Sequence, residues 1–416
     1  MAASSRSTLP ARLLMLAALH LLSAAPAKAT VYYLRADGTG DIATIREALD
    51  IVVNGDVIEL ADGTYRGWGS WGLEFHGKAI TLRSGSGNPE DCIIDCEASE
   101  RALIFWAFEG PDSRVEGITI RNGQVTYGGA IYCSYSSPTI TNCILTENVA
   151  TLNGGAVFIQ HASPVIEDCV ITENSSYFSG GGIRCERSAS PTIRNCTISG
   201  NEAGYDGGGV SCYEYSSPLI TGCTITANTA VFSAGGVQGN YHCDVELVDC
   251  VVVGNAAGAY GGGCSFVTDS EPVVEGSTIS GNRATSYGGG IYLQGSQPEV
   301  ERSILWGNCS NDGPELYTAD ATSDIQFLCC VVDSSAFFGP GEVDFSPGSV
   351  FTDPLFCAGW PCASAPSGWG DYTLDGASPC IAENNSCGVQ IGALGFGCGV
   401  DALSPASWGA VKARYR

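Results

Sequence analysis

Aromatic, basic and acidic residues recur at one position of a repeating segment, where they could act together on a ligand. Tyr135, His161 and Arg187 follow each other at steps of 26 residues. Glu214 and Tyr241 follow at steps of 27. Aromatic faces can stack on sugar rings, and charged groups can hydrogen-bond sugar hydroxyls. If successive segments lie side by side, the spacing predicts a shallow carbohydrate-binding strip formed by Tyr135, His161, Arg187, Tyr213, Glu214 and Tyr241.

The same positions also fit a variable, solvent-exposed rim that precedes a Ser-Pro turn, with no ligand at all. A binding strip usually needs a concave wall, which spacing alone does not provide. A catalytic interpretation finds less support. The chain has four His, of which His20 and His76 lie near the N terminus. No Ser-His-Asp arrangement can be assembled from them, so catalytic residues stay unassigned.

The elements that would position the strip come from an internal repeat of 26 or 27 residues. A Gly-Gly-(Ala/Gly)-(Ile/Val) phrase marks each repeat, and an asparagine and a cysteine recur at fixed distances from it. The phrase starts at Gly128, Gly154, Gly180, Gly207 and Gly288, with variants at Ala234 and Gly261. The predicted structural ladder is Asn122, Asn148, Asn174, Asn201, Asn228, Asn255, Asn282 and Asn308. The cysteine column is Cys143, Cys169, Cys196, Cys223 and Cys250, continued by Ser277 and Ser303.

Each repeat has the pattern of short strands separated by turns. Ile193, Cys196 and Ile198 can face one way, provided that a bend follows Ile193. One unit cannot bury its apolar face alone, so the units must stack, about 4.8 Å apart. Asparagine amides stacked in this way can donate to and accept from their neighbours. The repeat therefore predicts an all-β, right-handed parallel β-helix of about 11–13 coils.

The glycine and asparagine columns carry a resemblance to known families. From about Val31 to Cys398 the chain resembles the pectin-lyase-like superfamily of parallel β-helix proteins. The repeats are also similar to those of bacterial polymorphic outer-membrane passengers. The resemblance implies a polysaccharide lyase or glycosidase as the alternative to a non-catalytic binding module. The motifs of pectate lyases, polygalacturonases and pectin methylesterases are not visible, so an enzyme of this kind would need non-standard catalytic residues. One fold hosts many functions, and the activity stays open.

Both ends of such a stack need a cover, because open strand edges attract other chains. Thr44 and Glu47 have the spacing of a capping box, and Ile45, Leu49 and Ile51 belong to one apolar face. We therefore expect a short capping helix there. Eight of the twenty Cys lie from Cys309 to Cys398, where we expect disulfides of open connectivity. The thiols of the cysteine column should instead be buried and reduced.

The sequence divides into five predicted segments. A basic start, an apolar run and Ala-Lys-Ala predict a secretory signal at 1–29. The other segments are an N-terminal cap with irregular coils at 30–121, regular repeats at 122–308, C-terminal coils with a Cys-rich cap at 309–400, and a tail at 401–416.

The net charge of the chain limits the classes of molecule that it is expected to bind. The formal charge of −25 argues against nucleic acid, because a surface this acidic repels phosphates. We expect no transmembrane segment in the mature chain, no metal and no cofactor. The predicted protein is a secreted monomer, located outside the cell, in the periplasm or on the cell surface, that binds a polysaccharide or cell-surface glycan. A passive stalk or adhesin segment with a protein ligand is the third possibility.

Overall fold

The chain winds into a parallel β-helix, which confirms the predicted fold class. A computed structural model describes residues 29–398. The predicted tail, and all but the last residue of the predicted signal segment, lie outside the described residues. Each regular coil contributes one strand to each of three long parallel sheets, and the middle coils add a short strand to a fourth sheet. Along one coil the order is sheet 1, sheet 2, sheet 3, sheet 4, with sheet 3 the short one.

Sheets 1 and 2 form two walls of the coil. The 13 strands of sheet 1 are Val31–Leu34, Val57–Leu60, Thr81–Ser84, Arg114–Glu116, Thr139–Thr141, Val165–Glu167, Thr192–Arg194, Leu219–Thr221, Glu246–Val248, Val273–Glu275, Glu299–Glu301, Ile325–Leu328 and Val343–Phe345. The 11 strands of sheet 2 are Gly63–Tyr65, Cys92–Asp95, Thr119–Arg121, Ile144–Thr146, Val170–Thr172, Thr197–Ser199, Thr224–Thr226, Val251–Val253, Thr278–Ser280, Ile304–Trp306 and Val331–Val332.

Sheets 3 and 4 complete the coil. The 7 strands of sheet 3 are Gln124–Tyr127, Val149–Asn153, Ser175–Ser176, Glu202–Ala203, Thr229–Ala230, Ala256–Ala257 and Arg283–Ala284. The 11 strands of sheet 4 are Leu73–Glu74, Leu103–Phe105, Ile131–Ser134, Val157–Gln160, Ile183–Glu186, Val210–Tyr213, Val237–Asn240, Cys264–Val267, Ile291–Gln294, Leu316–Thr318 and Phe337–Phe338.

The core is a set of vertical columns in which like residues stack. Ile193 pairs in register with Ile166 on one side and Ile220 on the other, and all three are buried. A left-handed residue turns the chain at the corner between sheets 1 and 2. Asn195, with φ 54°, is such a residue, and it returns Cys196 to the interior. It supplies the bend that the apolar pattern required.

In each repeat the Gly-Gly-(Ala/Gly)-(Ile/Val) segment forms a turn before the strand of sheet 4, and glycine is required there. Gly154 has φ 70°, a left-handed conformation that favours glycine. A Cβ on Gly181 would lie 2.5 Å from the carbonyl oxygen of Gly208 in the next coil. The tight stacking at this turn therefore excludes any side chain.

Seven of the eight predicted ladder asparagines share one buried column. The Nδ2 of Asn174 donates to Asn201 Oδ1 at 2.9 Å and to the carbonyl of Leu145 at 2.9 Å. Equivalent bonds link the column from Asn148 to Asn308.

Asn122 does not join this column, which corrects the prediction. Its register partner is Glu147, and the peptide N–H of Gly123 donates to Asn148 Oδ1 at 2.9 Å. Asn122 has φ 56°, and its amide donates to Asp95. Asn122 precedes Asn148 by the usual 26 residues, but this coil is one residue shorter between the two positions that stack. Asn122 therefore lies at the corner and not in the buried column.

The two kinds of cysteine separate by location. Three disulfides lie in the C-terminal region, as expected: Cys309–Cys362, Cys329–Cys387 and Cys357–Cys398. The column thiols are buried and unpaired. Cys330 extends that column beyond Ser303, whose peptide N–H donates to its sulfur. Burial raises the pKa of the Cys264 and Cys330 thiols to about 12, so these side chains behave as small apolar groups.

A helix covers the N-terminal end of the stack, and the C-terminal region packs against one side of it. The one α-helix of the described residues, Ile45–Ile51, begins at Thr44, whose hydroxyl accepts from Glu47 N. Ile51 is 55% exposed, so it was wrongly assigned to the apolar face. At the far end, antiparallel strands Phe356–Ala358 and Asp371–Leu374 fold back over the outside of sheet 2. Three 3-10 helices complete this region: Ser334–Ala336, Cys362–Ser364 and Ala382–Asn384.

Candidate functional site

The predicted strip residues lie at the corner between sheet 4 and sheet 1. Tyr135, His161, Arg187, Glu214 and Tyr241 occupy the same left-handed position in consecutive coils, with φ between 49° and 66°. Backbone hydrogen bonds hold the corners in register, since the N–H of Tyr135 donates to Gln160 O at 3.2 Å. A left-handed residue projects its side chain away from the core. We call this row of corner side chains, with Tyr213 beside it, the aromatic edge.

Two groups of rings stand at the aromatic edge. In the first, Tyr135 stacks on His161 with ring centroids 4.7 Å apart and planes 16° apart. Phe108, one coil earlier, lies 6.4 Å from Tyr135 and is 80% exposed. Tyr135 itself is 55% exposed. These rings present faces to solvent that nothing in the described chain covers.

The second ring group is larger than the sequence predicted. Tyr213 stacks on Tyr241 at 6.0 Å, and Tyr215 stacks on His242 at 4.9 Å. Tyr215 and His242 were missed because they follow the column by one residue. Both are themselves left-handed, with φ 60° and 56°. The neighbouring Tyr241 phenol raises the pKa of Tyr215.

An ion pair separates the two ring groups. Arg187 Nε lies 3.6 Å from Glu214 Oε2, and Arg187 Nη1 donates to Gln160 Oε1 at 3.3 Å. Such an accessible pair contributes little to stability. Its groups remain able to exchange partners with a ligand's hydroxyls. The aromatic edge thus combines apolar faces with polar groups, but it is an open surface and forms no cavity.

A large cavity lies at a different corner, between sheets 2 and 3. Its volume is about 870 Å³. Glu173 and Glu202 line it from the coils, and Trp360 and Trp369 line it from the C-terminal region. Sequence reasoning missed this site because its halves are far apart in the chain. A signal was present: the left-handed column here changes from Glu147 and Glu173 to glycine and alanine in the following coils.

The outer face of sheet 4 carries a polar network that is closed to solvent. Arg184 Nη1 donates to Ser211 Oγ at 2.7 Å, and Ser211 donates to Gln238 at 2.8 Å. Burial raises the pKa of Asp206, and the Arg184 charge opposes the rise. All four side chains are buried, so the network stabilises the stack and offers no opening to a ligand.

Two further features bear on the class of site. Within residues 29–398, no group of three or more His, Cys, Asp or Glu side chains is placed to hold a metal ion. In the same part of the chain, no helix has the length and apolar character needed to cross a membrane.

Comparisons with known proteins agree with this architecture. The family model described as "Right handed beta helix region" matches residues 70–205 and 129–305, which together cover more than half of the chain. No curated protein sequence matches significantly. Among solved structures, pectate lyase Pel9A is similar over 88% of this chain and 96% of its own, with 13% identity and a TM-score of 0.55.

Two other solved structures align less well. Carrot pectin methylesterase is 14% identical over 76% of this chain and 88% of its own, with a TM-score of 0.34. The catalytic domain of a GH87 α-1,3-glucanase is 10% identical over 79% of this chain and 69% of its own, with a TM-score of 0.33. Likeness at this level of identity concerns the fold alone. By the family model, the chain belongs to the right-handed β-helix family, and it shares its fold with pectate lyase Pel9A.

Proposed function

We propose that the protein is an exported, non-catalytic β-helix that binds a carbohydrate polymer along the aromatic edge. The observation that carries the proposal is the succession of exposed rings on consecutive coils, with Tyr135 and His161 on one side of the Arg187–Glu214 pair and Tyr213 and Tyr241 on the other. The coil repeat of about 4.8 Å spaces these groups regularly, which suits a polymer with repeating units. Flat aromatic faces bind sugar rings, and the ion pair can hydrogen-bond their hydroxyls.

Export is supported by two independent features. Three disulfides in the C-terminal region are typical of a chain that folds in an oxidising compartment. The basic and apolar pattern of residues 1–29 predicts a secretory signal. A polysaccharide ligand is in keeping with the similar fold of pectate lyase Pel9A.

The alternative is a polysaccharide-degrading enzyme with non-standard catalytic residues. The observation that favours it is the pair Glu173 and Glu202 in the large cavity, since glycosidases use paired carboxylates. A general acid in such a pair is usually held in a buried setting, whereas both of these side chains are exposed. We therefore favour the binding function.

The proposal is tested by measuring affinity and product formation together. Purified protein is titrated with neutral glycans, pectins and alginates, with and without calcium, and the mixtures are assayed for reducing ends and unsaturated products. We expect binding without turnover. The double variant Tyr135→Ala, Tyr241→Ala should weaken binding about tenfold, because two ring contacts are lost.

Tyr33→Ala is the matched control, because Tyr33 is an exposed tyrosine of the first coil, away from the aromatic edge. It should bind like the parent protein. Unchanged affinity in the double variant would refute the assignment of the aromatic edge. Products released by the parent protein would replace the binding function with the enzymatic alternative.

A further inference from the structure

The large cavity is a groove between the coils and a segment that returns to them from the C-terminal region. Residues 360–369 form its roof. The disulfide Cys309–Cys362 ties one end of the roof to the coils. At the other end the N–H of Ser367 donates to Gly254 O at 2.8 Å, and Thr226 Oγ1 donates to Ser367 O at 3.4 Å. The roof is therefore attached to the coils near both of its ends.

The coil sequence determines where the roof can approach. A Cβ on Gly254 would lie 1.8 Å from Ser367 O, so any larger residue there would expel the roof. At the equivalent left-handed position two to four coils earlier stand Gly200, Glu173 and Glu147. The roof thus contacts the coils where this column is small, and the groove opens where the column carries carboxylates.

Two indole rings line the groove from above. Trp360 is 43% exposed and Trp369 is 40% exposed. Neither indole N–H donates a hydrogen bond to any of the described residues 29–398, so both donors are open to a ligand. A half-exposed aromatic face with a free donor is suited to an amphipathic ring such as a sugar.

Two carboxylates line the groove from below. Glu202 lies in sheet 3, one coil after Ser175, and Glu173 is the corner residue of that earlier coil. Within the described part of the chain, neither side chain has an ion-pair or hydrogen-bond partner. No Lys, Arg or His lines the groove. A neighbouring cavity of about 320 Å³, lined by Glu97 and Glu147, continues the acidic surface towards the N terminus.

We propose that this groove binds glycans whose sugar units carry free amino groups, as polymers of glucosamine do. The rings of Trp360 and Trp369 take the faces of the sugars, and Glu173 and Glu202 pair with the ammonium groups. A carboxylate and an ammonium form an ion pair with a hydrogen bond, whereas an acetylated amine keeps an N–H donor but has lost the positive charge. A uronate polymer is repelled, since the groove already carries uncompensated negative charge. The site is independent of the aromatic edge.

Isothermal titration tests the groove. A glucosamine oligosaccharide, its fully N-acetylated counterpart and a galacturonate oligosaccharide of the same length are titrated at about pH 6, where an amine is protonated. We expect the glucosamine oligosaccharide to bind tightest and the galacturonate to bind least. The double variant Glu173→Gln, Glu202→Gln should weaken glucosamine binding about tenfold and leave the N-acetylated ligand unaffected.

The roof is tested by Trp369→Ala and Trp369→Tyr. The alanine variant should weaken both amino and N-acetylated ligands, and the tyrosine variant should restore most of the affinity, because a ring is again available. Intrinsic tryptophan fluorescence should change on binding in the parent protein. The unfolding midpoint of each variant, measured in parallel, separates loss of the site from loss of the fold.

Glu246→Gln removes one carboxylate from the exposed face of sheet 1 and serves as the matched charge control. In the background of Tyr135→Ala, Tyr241→Ala, which removes the aromatic edge, the Glu173 and Glu202 substitutions should still weaken glucosamine binding about tenfold, which separates the two sites. The proposal is overturned by galacturonate that binds as tightly as the glucosamine ligand, with or without calcium. It is equally overturned by glucosamine binding that is absent or is unaltered by the Glu173 and Glu202 substitutions.

Discussion

At the scale of single residues, the asparagine column ends on a buried carboxyl group. Glu315 accepts from Asn308 N at 3.0 Å and from Asn308 Nδ2 at 2.6 Å. It replaces the next asparagine and satisfies the last two donors of the column. Burial raises the pKa of Glu315 to about 7, against the two hydrogen bonds from Asn308, which lower it. A buried titratable group is tolerated here because the two donors of Asn308 would otherwise be buried without acceptors.

This carboxyl group should make stability depend on pH. Its pKa is 4.5 before the shift and about 7 in the fold, so the folded protein holds the proton more tightly. The contribution of this proton to the free energy of unfolding is about 3 kcal/mol. It is fully present below about pH 4.5 and is lost as the pH rises towards 7. We expect urea unfolding of wild type and Glu315→Gln to differ by an amount that changes between pH 5 and pH 8. Glu246→Gln should differ from wild type by the same amount at both pH values. A constant difference for Glu315→Gln would contradict the shift.

Several residues could be predicted from the sequence and others could not. Asn148, Asn174 and Ile193 follow from periodicity, because a repeat that stacks forces like onto like. Asn122 keeps the repeat step but lies outside the column, since spacing alone does not reveal a one-residue shift of the corner. Glu315 and Trp369 stand in the irregular region, where no periodicity indicates what they contact.

At the scale of elements, the roof segment is the least periodic part of the molecule and depends on covalent links. The disulfide Cys309–Cys362 closes a loop with a sequence separation of 53. The two antiparallel strands that flank the roof bury Tyr372 against Val251 and Val253. The position of the roof could not be predicted from the sequence, because the cysteine pairing was open and three disulfides can be arranged in many ways.

Loss of this disulfide should release the roof without unfolding the coils. We expect Cys309→Ala, Cys362→Ala to lose about 2–4 kcal/mol of stability in the region that the disulfide constrains. Chymotrypsin should then cleave after Trp369, identified by mass spectrometry of the fragments, while the bond after Trp360 stays intact because Pro361 follows it. The matched variant Cys329→Ala, Cys387→Ala removes a disulfide outside the roof and should leave the bond after Trp369 protected. Equal protection in the two variants would show that packing alone holds the roof.

At the scale of the whole molecule, the stack behaves as a series of nearly equivalent layers, each in contact with its neighbours alone. The Ser136 and Ala162 positions correspond in adjacent coils, since the chain returns after 26 residues. The boundaries of the regular repeats at 122 and 308 remain predictions. Folding of each layer depends on its register with the adjacent layers, and much less on its position along the stack.

Removal of one complete layer should therefore be tolerated. Deletion of 136–161 joins Tyr135 to Ala162 and keeps every column in register. We expect a folded protein by circular dichroism, with cooperative unfolding and weaker carbohydrate binding because His161 is gone. Deletion of 136–148 removes half a layer and should abolish folding, since apolar and polar faces would exchange places. Similar behaviour of the two deletions would contradict the layered architecture.

The left-handed corner residues of the aromatic edge have a consequence for how such a molecule can diversify. These positions hold aromatic, basic and acidic side chains: Phe108, Tyr135, His161, Arg187, Glu214 and Tyr241. All six share the left-handed backbone conformation. Because their side chains project outward, they do not affect the packing of the hydrophobic interior. The corner thus offers a row of regularly spaced, exposed positions at which a recognition side chain can be substituted without changing the fold. Duplication of coils would lengthen this row, which would allow it to contact a longer polymer.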